Sequence, residues 1–153
     1  MKKARLILSA SMLAAAGFTA ATFTSCTKEE TCNVGYEGDD CKTLSRDKFI
    51  GQWKGTEECT LGTDDYSITI TASSTSEVGV VLNNIYNQSF VGTGTMTGTN
   101  GFSFSGQGTG SGGGTVTFSG TATLNSTTGQ LSVVYEITST AATNSCEFTG
   151  TKL

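Results

Sequence analysis

Few side chains in this sequence can do chemistry, so the first question is what those few can reach. Histidine is absent, which excludes Ser-His-Asp and Cys-His nucleophilic systems and removes the commonest metal ligand. Residues 78–135 run for 58 positions without one charged side chain. General acid–base catalysis needs a titratable group of tuned pKa, and that half of the domain offers none beyond tyrosine. The carboxylates around it are Glu57, Glu58, Asp64, Asp65, Glu77, Glu136 and Glu147, and no spaced pair of them on one strand face matches a glycosidase arrangement. A Ser-Lys pair has no motif. The glycine-rich stretch 106–114 (GQGTGSGGG) lacks a G-K-[ST] ending, a following helix and a nearby lysine. It reads as a mobile hairpin tip, not a phosphate loop. The chain is therefore read as a non-enzyme, with no catalytic residue, cofactor or metal assigned.

Glu57 keeps a site in view. Strand alternation puts it on the face of Trp53 and Cys59. Facing inward, it would hydrogen-bond Tyr66 or Tyr135, or contact a ligand. A β-bulge at Glu57-Glu58 would instead turn it to solvent, and the bulge is the favoured expectation.

The elements that must hold these residues are strands. Tyr66, Ile68 and Ile70 alternate with Ser67, Thr69 and Thr71. Val116, Phe118, Ala122 and Leu124 do the same against Thr and Ser, as do Leu131, Val133, Tyr135 and Ile137 with their neighbours. Period-two patterning with one apolar and one Thr/Ser face is the mark of half-buried antiparallel strands. Turn signals at short, even spacing divide residues 49–153 into eight strands in a meander. Eight such strands either close into a barrel or fold into a sandwich. Gly92, Gly94 and Gly120 fall on apolar faces, where glycine permits tight coiling or leaves room for a ligand. Residues 44–48 are expected to make a helical turn capped by Ser45.

The N-terminal quarter carries an address. Lys2, Lys3 and Arg5 precede an apolar run at 6–21, then small residues and Cys26, the parts of an export signal. Phe23-Thr24-Ser25-Cys26 resembles a bacterial lipobox, with Phe23 where that family usually has Leu. The resemblance implies a signal peptide over 1–25, diacylglyceryl modification of Cys26 and membrane attachment through its acyl chains. Lys28-Glu29-Glu30, in the tether 26–31, is similar to the Lys-acidic-acidic export signal of surface lipoproteins of the Bacteroidota type. It implies an outer-membrane lipoprotein facing the cell exterior. Loss of the signal segment leaves six basic against thirteen acidic residues, a balance that argues against nucleic acid as a partner.

Cys26 accounts for the odd one of five cysteines, and Cys32, Cys41, Cys59 and Cys146 allow three pairings. Residues 32–41 (CNVGYEGDDC) match C-x-x-G-Y-x-G-x-x-C, and so resemble the last loop of an EGF-like module. The resemblance implies a bridge Cys32–Cys41 and a stiff spacer at 32–41, followed by a linker at 42–48. The other EGF cysteines are absent, and Asp39 and Asp40 read as turn residues, not calcium ligands. If Cys59 then faces Cys146 across antiparallel strands, the register sets Gly55 opposite Gly150 and Trp53 opposite Lys152. It also joins first strand to last and closes the sheet.

Gly51-Gln52-Trp53 on the first strand is similar to the G-x-W of lipocalins and related calycins. That resemblance implies a closed barrel whose floor is Trp53 under a basic side chain, here Lys152. The expected architecture is an all-β, eight-stranded lipocalin-like barrel at 49–153, with a β-sandwich as the alternative. The expected function is binding of a small molecule or glycan by an anchored monomer, the alternative being a structural partner of envelope proteins.

Overall fold

The computed structural model describes residues 32–153; Cys26, Lys28, Glu29 and Glu30, with the expected signal segment and tether, lie outside the described residues. Two short strands, β1 (Tyr36–Glu37) and β2 (Thr43–Leu44), lead through a 3-10 turn (Ser45–Lys48) into the main sheet. That sheet holds β3 (Gly51–Cys59), β4 (Gly62–Ala72), β5 (Gly79–Ile85), β6 (Phe90–Met96), β7 (Gly101–Thr109), β8 (Thr115–Leu124), β9 (Gln130–Thr138) and β10 (Thr143–Lys152). Each strand pairs antiparallel with the next, and β10 returns to β3, so the sheet is a closed barrel and not a sandwich. Closure leaves the main sheet without an edge strand.

The alternation read from sequence is what turns the strands inward. In β9, Leu131, Val133, Tyr135 and Ile137 are buried, while Val134 and Glu136 between them and Thr138 after them are exposed. The inward rows meet in one continuous core that runs from Phe49 and Trp53 to Phe90 and Val116. At the seam Cys146 faces Cys59, Gly150 faces Gly55 and Lys152 faces Trp53. Cys59 is bonded to Cys146 and Cys32 to Cys41.

Four expectations are corrected. β3 pairs without a break to β4 and β10, so no bulge occurs at Glu57-Glu58, and Glu57 points into the barrel at 3% exposure. The register is held on both sides by full ladders, which leaves a bulge nowhere to form. β7 continues to Thr109, so the hairpin tip is only 110–114. Gly106 and Gly108 belong to the strand, where the rings of Phe118 and Phe90 occupy the space a Cβ would take, 2.4 Å away in each case. Ser45 is not a cap: β2 runs straight into the turn, Leu44 takes the cap position, and Ser45 is buried with an unpartnered Oγ.

The disulfide loop expected as a spacer is docked on the barrel, together with residues 42–48. The Arg46 Nη1 donates to the carbonyls of Ser76 (2.7 Å) and Gly79 (3.0 Å). Tyr36 donates to Glu77 at 2.9 Å, and Lys48 bridges Glu37 (2.6 Å) and Asn100 (2.8 Å). Gly35 sits at φ +90°, and a Cβ there would lie 2.5 Å from Val78. This module covers one end of the barrel, the floor. Beneath it Trp53 donates through Nε1 to the Phe49 carbonyl (2.7 Å), and Lys152 Nζ lies 5.7 Å from the Trp53 ring centroid.

Candidate functional site

The opposite end, the mouth, is formed by the turns β3–β4, β5–β6, β7–β8 and β9–β10. Just inside it, Glu57 accepts a hydrogen bond from Tyr66 on β4 (2.6 Å) and another from Tyr135 on β9, both at Oε1. Sequence spacing and register bring them together. Tyr66 pairs with Gly55 and Tyr135 with Gly120, so each ring enters the barrel beside a residue that has no side chain. A Cβ on Gly120 would come within 2.5 Å of the Tyr135 Cβ.

Burial raises the pKa of Glu57 above its ordinary value, against the two tyrosine hydrogen bonds, which favour the anion; the charge of Asp64 raises it further. Burial first pushes both tyrosines well above the ordinary phenol range, followed by Glu57 for Tyr66 and by Tyr66 and then Glu57 for Tyr135. The hydroxyls therefore act as donors at all working pH. Asp64 is the direct cross-strand partner of Glu57 and so shares its face of the sheet.

A second layer joins this cluster to the rim. The Tyr86 N–H donates to the Tyr66 hydroxyl (3.2 Å), and the Tyr86 hydroxyl accepts from Asn144 Nδ2 (3.0 Å). Asn144 is itself buried and accepts the Leu61 N–H through Oδ1 (3.2 Å). The β5–β6 connection that carries Tyr86 is held in a costly backbone: Asn84, Tyr86, Asn87 and Ser89 have φ of 66°, 57°, 48° and 56°. Side-chain bonds sustain it. Asn84 Nδ2 reaches the Ser67 carbonyl at 2.9 Å, and Asn87 Nδ2 reaches Asp64 Oδ2 at 2.7 Å.

Two depressions open at this end. The larger, about 450 Å³, has walls of Phe90, Val116, Ile137 and Ala141, and reaches the glycine-rich tip and Asn144. The smaller, about 280 Å³, is lined by Glu57, Cys59 and Asp64. Leu61, Tyr86 and Gln88 are common to both, so Tyr86 stands as the partition between an apolar hollow and a carboxylate groove. Below them the barrel is filled by its own side chains. Gly92 and Gly94, like Gly106 and Gly108, abut phenylalanine rings, which is tight coiling and not room for cargo. A third depression, about 490 Å³, lies on the outer wall among Thr93, Ser105, Thr117, Ser119 and Glu136.

Of the site residues expected from sequence, Glu57, Tyr66 and Tyr135 converge, while Gly51, Trp53 and Lys152 meet at the far end. Glu57, Cys59 and Cys146 also lie close enough to share a metal, but the two sulfurs are bonded to each other and offer no thiolate. Tyr86, Asn144 and Asp64 were not foreseen. For Asn144 a signal existed: continuing the β10 alternation back from Phe148 and Cys146 places it inward. For Tyr86 there was none, because its position depends on a left-handed backbone.

No family model matches the chain, and no curated protein is similar to it in sequence. Among solved structures, that of EF1p2_mFAP2b bound to DFHBI is similar, with a TM-score of 0.53 and 18% identity over 72% of this chain and 100% of that one. At that identity the likeness shows the β-barrel fold alone.

Proposed function

We propose that this chain is a lipid-anchored outer-membrane lipoprotein of the Bacteroidota type, exposed at the cell surface, whose lipocalin-like barrel binds a small ligand at its mouth. The observation that carries the reading is the apolar hollow set directly beside a buried, hydrogen-bonded carboxylate at the one uncovered end of the barrel. Small-molecule sites are concave and mostly apolar, with a few fixed polar groups, and this end has that make-up. The bound DFHBI in the similar structure is a further, weaker support. Anchorage fits the geometry. The chain enters the barrel at the floor through the docked disulfide loop, so attachment at Cys26 holds the floor toward the bilayer and turns the mouth away from it. From Cys26 to Cys32 the backbone reaches at most about 20 Å.

Native mass spectrometry of the protein purified from its own host tests the binding. A small-molecule adduct is expected, and it is expected to vanish in Ala141→Trp, which fills the hollow. A bare mass for the native protein overturns the reading. Cys26→Ser is expected to release the chain from the membrane fraction. Alanine at Lys28, Glu29 and Glu30 is expected to remove its sensitivity to protease on intact cells.

The filled interior supports a second reading, a structural or interaction component of the envelope in which the low-charge Thr/Ser wall contacts a glycan or protein. A constant protein neighbour on cell-surface crosslinking, with no adduct, would favour it.

A further inference from the structure

The two ends of the barrel differ in charge, and the difference specifies what the mouth would accept. Every basic residue among those described, Lys42, Arg46, Lys48, Lys54 and Lys152, lies in the docked module or the floor half of the sheet. The turn end of β3 and β4 carries Glu57, Glu58, Asp64 and Asp65 with no cation among them. Thr56 takes up Asp65 at 2.5 Å on the outer face, and Asn87 takes one oxygen of Asp64. Asp64 also accepts the Asp65 N–H (2.9 Å), but among the described residues no cation pairs with Asp64 or Glu57, which face one another on the same side of the ladder. Glu57 uses only Oε1 for the two tyrosines. Among the described residues Oε2 has no hydrogen-bond partner, and it is not sealed off, since the carboxyl lines the groove.

Resting on the mouth as a ligand site, we propose that its ligand is an organic cation: an amine carried on an apolar body. The ammonium lies in the groove between Glu57 and Asp64, donating to the open Oε2, and the body lies across Tyr86 in the hollow walled by Phe90, Val116 and Ile137. A carboxylate or phosphate ligand finds no positive group here and meets two negative ones. A neutral alcohol keeps the apolar contact and can still donate to the carboxylate, but loses the attraction between opposite charges.

The test uses the full chain in neutral detergent, titrated calorimetrically with three probes of one shape: 4-phenylbutylamine, 4-phenylbutanol and 4-phenylbutyrate. The amine is expected to bind at least ~10-fold tighter than the alcohol, as the attraction of its charge to two carboxylates allows, with the carboxylate weakest. Glu57→Gln keeps the acceptor for both tyrosines and is expected to reduce the amine's advantage over the alcohol to within about 2-fold. Asp64→Asn, at the exposed rim, is expected to weaken the amine by about 3-fold and to flatten its salt dependence. Equal binding of the three probes, or an amine preference that survives Glu57→Gln, overturns the cation assignment and leaves the mouth a binding site. Binding of none of them, with native protein also free of adduct, overturns both.

Discussion

The floor and the mouth of this barrel are built on opposite plans. At the floor, cations and anions occur together and are used. Lys48 pairs with Glu37, Arg46 collects backbone carbonyls, Lys152 lies over Trp53, and a disulfide loop covers the whole. At the mouth, carboxylates gather without cations, four non-glycine residues are held at positive φ, and two depressions stay open. Strain and uncompensated charge cost stability and persist where the surrounding structure holds them, which is the usual condition of a functional site. The floor pairs its charges and is covered, although among the described residues Ser45 Oγ and Arg46 Nε are buried there without a hydrogen-bond partner. The mouth is left unfinished in the two respects, electrostatic and steric, that a ligand can complete.

Mutations should separate the two ends. Trp53→Ala removes the largest fully buried side chain and is expected to cost about 3–5 kcal/mol in denaturant unfolding, as for large aromatic truncations. Leu61→Ala, on the exposed rim, should change stability by no more than about 0.5 kcal/mol. A Trp53→Ala loss of under about 1 kcal/mol would mean that the floor does not hold the barrel closed. Next in size is the seam. Replacing Cys59 and Cys146 together by serine opens an 87-residue separation and is expected to cost about 2–5 kcal/mol, read as a lower unfolding midpoint, with a higher m-value because the unfolded chain is no longer held compact. A smaller loss belongs to the second polar layer. Asn144→Ala strands the Leu61 N–H and the Tyr86 hydroxyl and is expected to cost about 1–3 kcal/mol. Since it frees Tyr86, it should also speed amide exchange in 84–89 while leaving the floor amides protected. Uniform acceleration along the chain would erase the distinction between the ends.

How much of this was legible follows from the same contrast. The floor is made by regular alternation, whose consequences propagate. Once Cys59 opposes Cys146, Trp53 must oppose Lys152, because an antiparallel ladder admits only one register per pair. Glu57 could be assigned to a face but not to a state, since a bulge would have released it, and its absence depends on two full neighbouring ladders. Tyr86 and the residues about it were beyond reach. Their left-handed backbone is held by Asn84, Asn87 and the Tyr66 hydroxyl across strands, a tertiary balance with no local pattern. The docking of 32–48 was hidden in the same way: three carbonyls converging on Arg46 come from a turn 27 to 33 residues downstream.

The smallest effect is the most diagnostic. Glu57→Gln preserves an oxygen for Tyr66 and Tyr135 and removes only the charge. Burial holds the carboxyl's pKa in the folded protein above the ordinary 4.5, so the folded state keeps its proton longer than the unfolded chain does. The stability this contributes is fully present below that ordinary value and is lost as pH rises through the folded one. The glutamine variant has no such loss. The two proteins should therefore differ least below that ordinary value, and the variant should gain on the native chain as pH rises, levelling once Glu57 is ionised. Tyr66 and Tyr135 do not titrate in this window, their pKa values being raised also, which leaves Asp64 as the group that facing charge can act through. Asp64→Asn should shrink the divergence. Adding a cationic ligand should do the same, because it lowers the cost of the anion in the folded state alone. Thermal unfolding of native, Glu57→Gln and Asp64→Asn proteins across that range decides the matter. Parallel curves for the first two would mean that the buried carboxyl is already relieved from within, and the mouth would then be as complete as the floor.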